Sequence, residues 1–222
     1  MRGCYAAPVN ERLVRWNERY LRGGEAFDFE PSPPLPAAVT GTAAGLAVDL
    51  ASGAGRHSIY LAERGWRVIA VDGAKAGVDI MLREAERRGV RDRIDPHVAD
   101  LMTRPRGFAL VPAAYDLVCD FYFLDRSLFD EIRAAVRPGG LFAAAIHLAE
   151  PGDPLDRLLA PGELARIVEP WGWDVSLDEV PSRDHDTCHG RGAGASATAA
   201  CAASAESHAG RGTVQLVARR PA

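Results

Sequence analysis

The chain has 222 residues, enough for one full-sized domain and short for two. Its 47% apolar and 25% charged residues are ordinary for a globular protein, and a net charge of -4 with scattered basic residues gives nucleic acid no footprint. No run of 18 apolar residues occurs and Met1–Tyr20 holds no signal-peptide stretch, so no membrane partner is expected and a cytoplasmic location is the simplest reading.

Leu13, Trp16 and Tyr20 recur at helical spacing and predict a short amphipathic helix ending at Gly23-Gly24. Pro31, Pro33, Pro34 and Pro36 follow and read as extended or turn-like. From there strands and helices alternate. Leu46–Leu50 is a buried strand, Arg56–Arg64 a helix, Arg67–Val71 a second strand, and Lys75–Arg88 a helix stopped by Gly89. Ile94–Val98 is a weaker strand and Asp116–Phe121 a fourth. Arg126–Val136 is a helix ending at Pro138-Gly139-Gly140, and Leu141–Leu148 a fifth strand. Pro161–Val168 reads as a helix. Trp173–Leu177 and Thr213–Ala218 read as two last strands that pair antiparallel near one edge. Such alternation predicts one α/β domain over 1–222, a mostly parallel sheet with helices on both faces.

One segment breaks the pattern. Gly190–Ala209 is rich in Ala, Ser and Gly and lies between near-copies, Gly190-Arg191-Gly192 and Gly210-Arg211-Gly212. It reads as an inserted, flexible surface excursion. Cys4, Cys119, Cys188 and Cys201 form no C-x-x-C pair and are expected to be reduced. His185, Cys188, His189, Cys201 and His208 fit no familiar zinc spacing, so no metal is expected.

The chemistry concentrates at strand ends. In Val48-Asp49-Leu50-Ala51-Ser52-Gly53-Ala54-Gly55-Arg56-His57 a strand ends in an acid, a small-residue loop follows, and a helix begins. Glycines let backbone approach a ligand, and a helix N-terminus favours an anionic group. A dinucleotide fingerprint requires a third glycine, where Ser58 stands. Asp72 ends the second strand, where a carboxylate can accept both hydroxyls of a ribose or cap the next helix. Asp100 follows the third strand and can accept an adenine amino proton, with Leu101 beside it. Asp120 is polar within an apolar run, which leaves two readings: contact with a ligand amino group or a buried hydrogen bond. Of Phe121, Tyr122 and Phe123, one is expected to line a pocket and the others to be core.

These motifs resemble the small-molecule class I methyltransferases, particularly the tellurite-resistance-type and thiopurine-methyltransferase-like branch. The resemblance spans about Trp16 to Glu179 plus the last strand. It rests on Trp16-Asn17-Glu18-Arg19-Tyr20, Pro31-Ser32-Pro33, the Asp49–His57 loop with Ala51 at the first glycine position, and Gly65-Trp66. Asp72, Asp100, Arg137-Pro138-Gly139-Gly140 and Leu159-Ala160-Pro161-Gly162-Glu163-Leu164 extend it. It implies a Rossmann-like seven-stranded sheet with one antiparallel strand, no separate substrate domain, and S-adenosylmethionine as cofactor. The implied contacts are Ala51, Gly53 and Gly55 near the methionine part, Asp72 at ribose, and Asp100 and Leu101 at adenine; Asp49, Arg56, Gly73 and Asp120 are further candidates for cofactor binding. Residues 1–45 would supply a lid, with Trp16 and Tyr20 over the site. The Asn/Asp-Pro-Pro-Tyr signature of amino-methylating DNA and glutamine enzymes is missing after the fourth strand, which counts against those substrates.

A sulfonium is a good leaving group unaided, so such an enzyme mainly positions its nucleophile. No general base is required for a soft acceptor. His147, ending the fifth strand, is the best candidate for a substrate-side group, with a buried or capping role as the other reading, and Arg126 could draw an anionic acceptor or cap its helix. Two other readings remain: a nicotinamide-dependent oxidoreductase, and an S-adenosylmethionine-binding protein without turnover.

Overall fold

A computed structural model describes residues 10–22, 27–180 and 211–222. The chain enters through α1 (Glu11–Arg22), and α2 (Pro34–Val39) follows. The Pro-rich segment is thus partly helical, contrary to its extended reading. Pro34 is the first helical residue and Pro36 lies in the first turn, where the amides that prolines lack have no intrahelical partner to lose. Leu35, Ala38 and Val39 on this short helix are buried.

Seven strands then form one sheet: β1 (Leu46–Leu50), β2 (Arg67–Asp72), β3 (Ile94–Val98), β4 (Tyr115–Phe121), β5 (Val136–His147), β6 (Asp174–Val180) and β7 (Thr213–Arg219). Their order is β3-β2-β1-β4-β5-β7-β6. β1 to β5 are mutually parallel, while β7 runs antiparallel to both β5 and β6. The antiparallel strand expected near the edge is therefore β7, one strand in from it.

The crossovers are α3 (Arg56–Glu63), α4 (Lys75–Arg87) and α5 (Leu128–Ala135), with α6 (Glu163–Val168) before β6. Two apolar layers result. Val48, Leu50, Val118, Phe142 and Ile146 pack under α5 and α6, whereas Ala47, Val68, Cys119 and Leu141 pack under α2, α3 and α4. β5 begins at Val136, earlier than expected, because Arg137–Gly140 is absorbed as an irregularity in the β4 pairing. Tyr115 faces Val136, yet Leu117 faces Leu141, and Gly139 takes φ +75° to accommodate the excess. Segment 190–209, with Cys188, Cys201, His185, His189 and His208, lies outside the described residues.

Candidate active site

Because β1 to β5 are parallel, their carboxyl ends share one edge, and ligands of open parallel sheets bind along such an edge. Register places the expected residues there together. Leu50 of β1 faces Val71 on one side and Asp120 on the other, and Asp72 faces Val98 at the end of β3.

The turn after β1 is tightly built. Ser52 N–H donates to Val71 O at 3.0 Å, and Gly55 N–H to Ser52 O at 2.9 Å. Gly53 and Gly55 take φ +56° and +86°, and a Cβ on Gly55 would overlap Met81 of α4. Ala51 also sits at φ +53°, so the alanine in the first glycine position occupies backbone that disfavours it by about 1–2 kcal/mol. Such strain persists where the surroundings over-determine it, and functional turns are where it collects.

Asp49 is buried and accepts the Ser58 hydroxyl at 2.6 Å. Burial raises its pKa from the ordinary 3.8 to about 7, against the bond from Ser58. Ser58, where a dinucleotide fold has glycine, is thus used to hold Asp49. Asp72 accepts Gly53 N–H and Ala74 N–H, both at 2.7 Å, one on each carboxylate oxygen. It therefore caps the approach to α4 and braces the glycine turn, while each oxygen keeps lone-pair capacity. Burial raises its pKa too. Asp120 is buried beneath the end of β4, and burial followed by the charge of Asp49 holds it well above the carboxylate range. Among the described residues, Asp49 Oδ1, Ser52 Oγ and Asp120 Oδ1 are buried without a hydrogen-bond partner. Buried carboxyl oxygens left unpartnered near this turn suit a cationic ligand group.

Asp100 accepts Met102 N–H at 2.7 Å, and Leu101 is buried beside it. Arg106 ties this loop to the one after β4, donating to Asp125 and to Glu131 at 2.7 Å each. Arg56 opens α3 half-buried, its guanidinium 5.7 Å from the Tyr122 ring centre.

Tyr122 itself follows β4 at φ +62°, 38% exposed, its ring 5.0 Å from that of His147. Phe121 and Phe123 are buried, so of the three aromatics Tyr122 is the one open to solvent. Phe121 stacks at 3.9 Å on His57, a residue that sequence reasoning did not single out. His57 Nε2 accepts Ser32 N–H at 3.2 Å, and Ser32 Oγ donates to Tyr122 Oη at 3.1 Å. Burial and then the charge of Arg56 push the His57 pKa down to about 3, so its imidazole is neutral and holds the Pro-rich segment against the crevice. Twenty-five residues separate the pair, and nothing local in the sequence marks it. Arg126 is committed elsewhere: its fork binds Glu163 at 2.5 and 2.9 Å and the Leu155 and Leu158 carbonyls at 2.7 and 3.0 Å.

Trp16 and Tyr20 stack at 5.8 Å on α1, and Tyr20 stands over Gly53. Burial and the charge of Asp72 raise its pKa. Two open cavities of about 550 and 310 Å³ lie elsewhere, lined by residues such as Trp171 and Arg220 or Asp116 and Arg137, at the far end of β5. Among the described residues no cluster of His, Cys, Asp or Glu is disposed to hold a metal ion, and no helix is long and apolar enough to cross a membrane.

Residues 47–140 match the family described as a methyltransferase domain. No curated protein matches the chain in sequence. TehB from Haemophilus influenzae superposes with a TM-score of 0.61 at 16% identity, covering 92% of this chain and 67% of its own. The 1,6-didemethyltoxoflavin-N1-methyltransferase of Burkholderia thailandensis, solved with S-adenosylhomocysteine, gives 0.62 at 18%, covering 100% and 94%. The geranyl diphosphate C-methyltransferase of Streptomyces coelicolor gives 0.61 at 17%, covering 98% and 100%. That match covers less than half of the chain, and the likeness to these solved structures shows that the chain has the same Rossmann-like fold, a mostly parallel seven-stranded sheet.

Proposed function

We propose that the chain transfers the methyl group of S-adenosylmethionine to a small-molecule acceptor by in-line displacement at the sulfonium carbon. What supports this is that Asp49, Asp72 and Asp100 stand at or just past the carboxyl ends of the neighbouring strands β1, β2 and β3, with Asp72 bonded to the glycine turn through Gly53 N–H. Ala51, Gly53, Gly55 and Arg56 would hold the methionine part, with the unpartnered Asp49 Oδ1 and Asp120 Oδ1 as acceptors for its ammonium group. Asp72 and Gly73 would meet the ribose, Asp100 and Leu101 the adenine. The cofactor supplies an electrophilic methyl; the chain's residues bind, orient and exclude water. Tyr122 is the acceptor-side aromatic this reading favours, with Phe121 backing it and His147 the nearest candidate to relay a proton. Trp16 and Tyr20 sit on α1, the helix that lies against the site.

A small acceptor is supported by the names of the two methyltransferases above, which give 1,6-didemethyltoxoflavin and geranyl diphosphate as what they methylate. The acidic net charge supports a nucleic-acid-free role, and the scattered cysteines support a reducing, cytoplasmic setting.

The test has two steps. Calorimetry should show binding of S-adenosylmethionine and none of NAD; the reverse result would return the chain to oxidoreductase chemistry. A panel of thiols, amines, carboxylic acids and chalcogen oxyanions should then yield S-adenosylhomocysteine with at least one acceptor. Binding without turnover on any acceptor would leave a cofactor-binding protein and end the enzymatic reading.

A further inference from the structure

α1 does not merely roof the crevice; it lies in it. Asn10 caps the helix, accepting Arg12 N–H on Oδ1 at 3.1 Å, and gives its amide Nδ2 to Asp100 Oδ2 at 2.7 Å. Leu13 packs so closely on Gly73 that a Cβ there would come within 2.5 Å of Leu13 Cδ2. Asn17 Oδ1 accepts Ala76 N–H at 2.8 Å, and a Cβ on Gly53 would overlap the Tyr20 hydroxyl. Positions 10, 13, 17 and 20 form one helical face. That face meets in turn the residues assigned to adenine, ribose and the glycine turn. The chemistry matches as well as the place: an amide NH2 donates to Asp100 as an adenine amino group would, and an apolar side chain fills the space beside Gly73.

The hold is light. α1 is the only described α-helix without a buried residue, and elements with few buried apolar contacts detach at small cost. We propose that α1 is an autoinhibitory latch that occupies the cofactor site, its adenosyl part through Asn10 and Leu13 and the glycine turn through Tyr20, and must leave before S-adenosylmethionine enters. This rests on the cofactor assignment proposed above. Apparent affinity then equals the intrinsic affinity multiplied by the fraction of molecules with α1 displaced. Whatever draws α1 away activates the enzyme.

The substitution Asn10→Asp keeps the capping oxygen but sets a carboxylate against Asp100, and Leu13→Ala removes the packing on Gly73. In the full chain carrying both, calorimetry with S-adenosylhomocysteine should show a Kd lower by roughly tenfold. In the wild-type chain, amide exchange across α1 should speed up when S-adenosylhomocysteine is added. Equal or weaker binding by the double variant overturns the latch, as does slower exchange in α1, which would make the helix a cover that closes on its ligand. If S-adenosylhomocysteine binds neither protein while both melt cooperatively, the cofactor assignment itself fails and the latch falls with it.

Discussion

Asp72 serves the fold before it serves any ligand. Its two oxygens fasten the glycine turn to the approach of α4 through Gly53 N–H and Ala74 N–H. Replacing Asp72 with Ala leaves two amides short of a partner, costing about 1–3 kcal/mol each, which a domain stable by about 5–15 kcal/mol survives. The variant should melt cooperatively at a lower temperature and bind S-adenosylmethionine more than tenfold more weakly by calorimetry; unchanged affinity would remove the ribose assignment. Asp49 makes a different prediction. Its folded-state pKa of about 7 exceeds the ordinary 3.8, so the folded chain holds this proton more tightly than the unfolded one. The resulting stabilisation is fully present below about pH 3.8 and lost as pH rises towards 7. In urea titrations from pH 4 to 7, wild type should therefore lose stability relative to Asp49→Asn, by about 1 kcal/mol or more. A flat difference across that range would mean Asp49 is ionised throughout. At this scale the sequence disclosed Asp49, Asp72 and Asp100, because a carboxylate ending an apolar strand stands out from its neighbours. It did not disclose His57 with Ser32, or Asn10 with Asp100, since those pairs are separated by 25 and 90 positions and carry no periodic mark.

Among the elements, most boundaries follow from periodicity and from stop signals such as Gly89. The exceptions are informative. α2 looked like a proline-rich connection, yet Leu35 on it is fully buried beneath β5 and β7. Leu35→Ala should therefore cost about 2–5 kcal/mol in urea unfolding, the range for a core leucine, where an exposed connection would show almost no change. Proline signals a break only inside a helix; at the first turn it is compatible with one, and the sequence alone does not say which applies. The early start of β5 was missed for a related reason. Arg137-Pro138-Gly139-Gly140 reads as a turn, and only the pairing of Val136 with Tyr115 before it and the bonds of Gly139 and Gly140 to Arg220, just past β7, draw it into the sheet.

For the whole molecule, the connection between β6 and β7 offers a clean test. Val180 and Thr213 are direct register partners, so the chain leaves and re-enters the sheet at adjacent points. Closing a shorter loop between neighbouring ends costs no more entropy than closing a longer one. Deleting Gly190–Ala209 should leave the melting temperature unchanged or slightly higher, with S-adenosylmethionine affinity within about twofold; a collapse of either would give that segment a structural or binding role. The sequence by itself determined the α/β class, the number and direction of most strands, and the placing of three acids at successive strand ends, because period and strand-end chemistry are local properties. Only the tertiary structure decided that β7 enters between β5 and β6, that Arg126 is committed to Glu163, and that α1 lies within the crevice. Those outcomes depend on contacts between distant segments, where packing and hydrogen-bond satisfaction choose among arrangements that local pattern leaves equal.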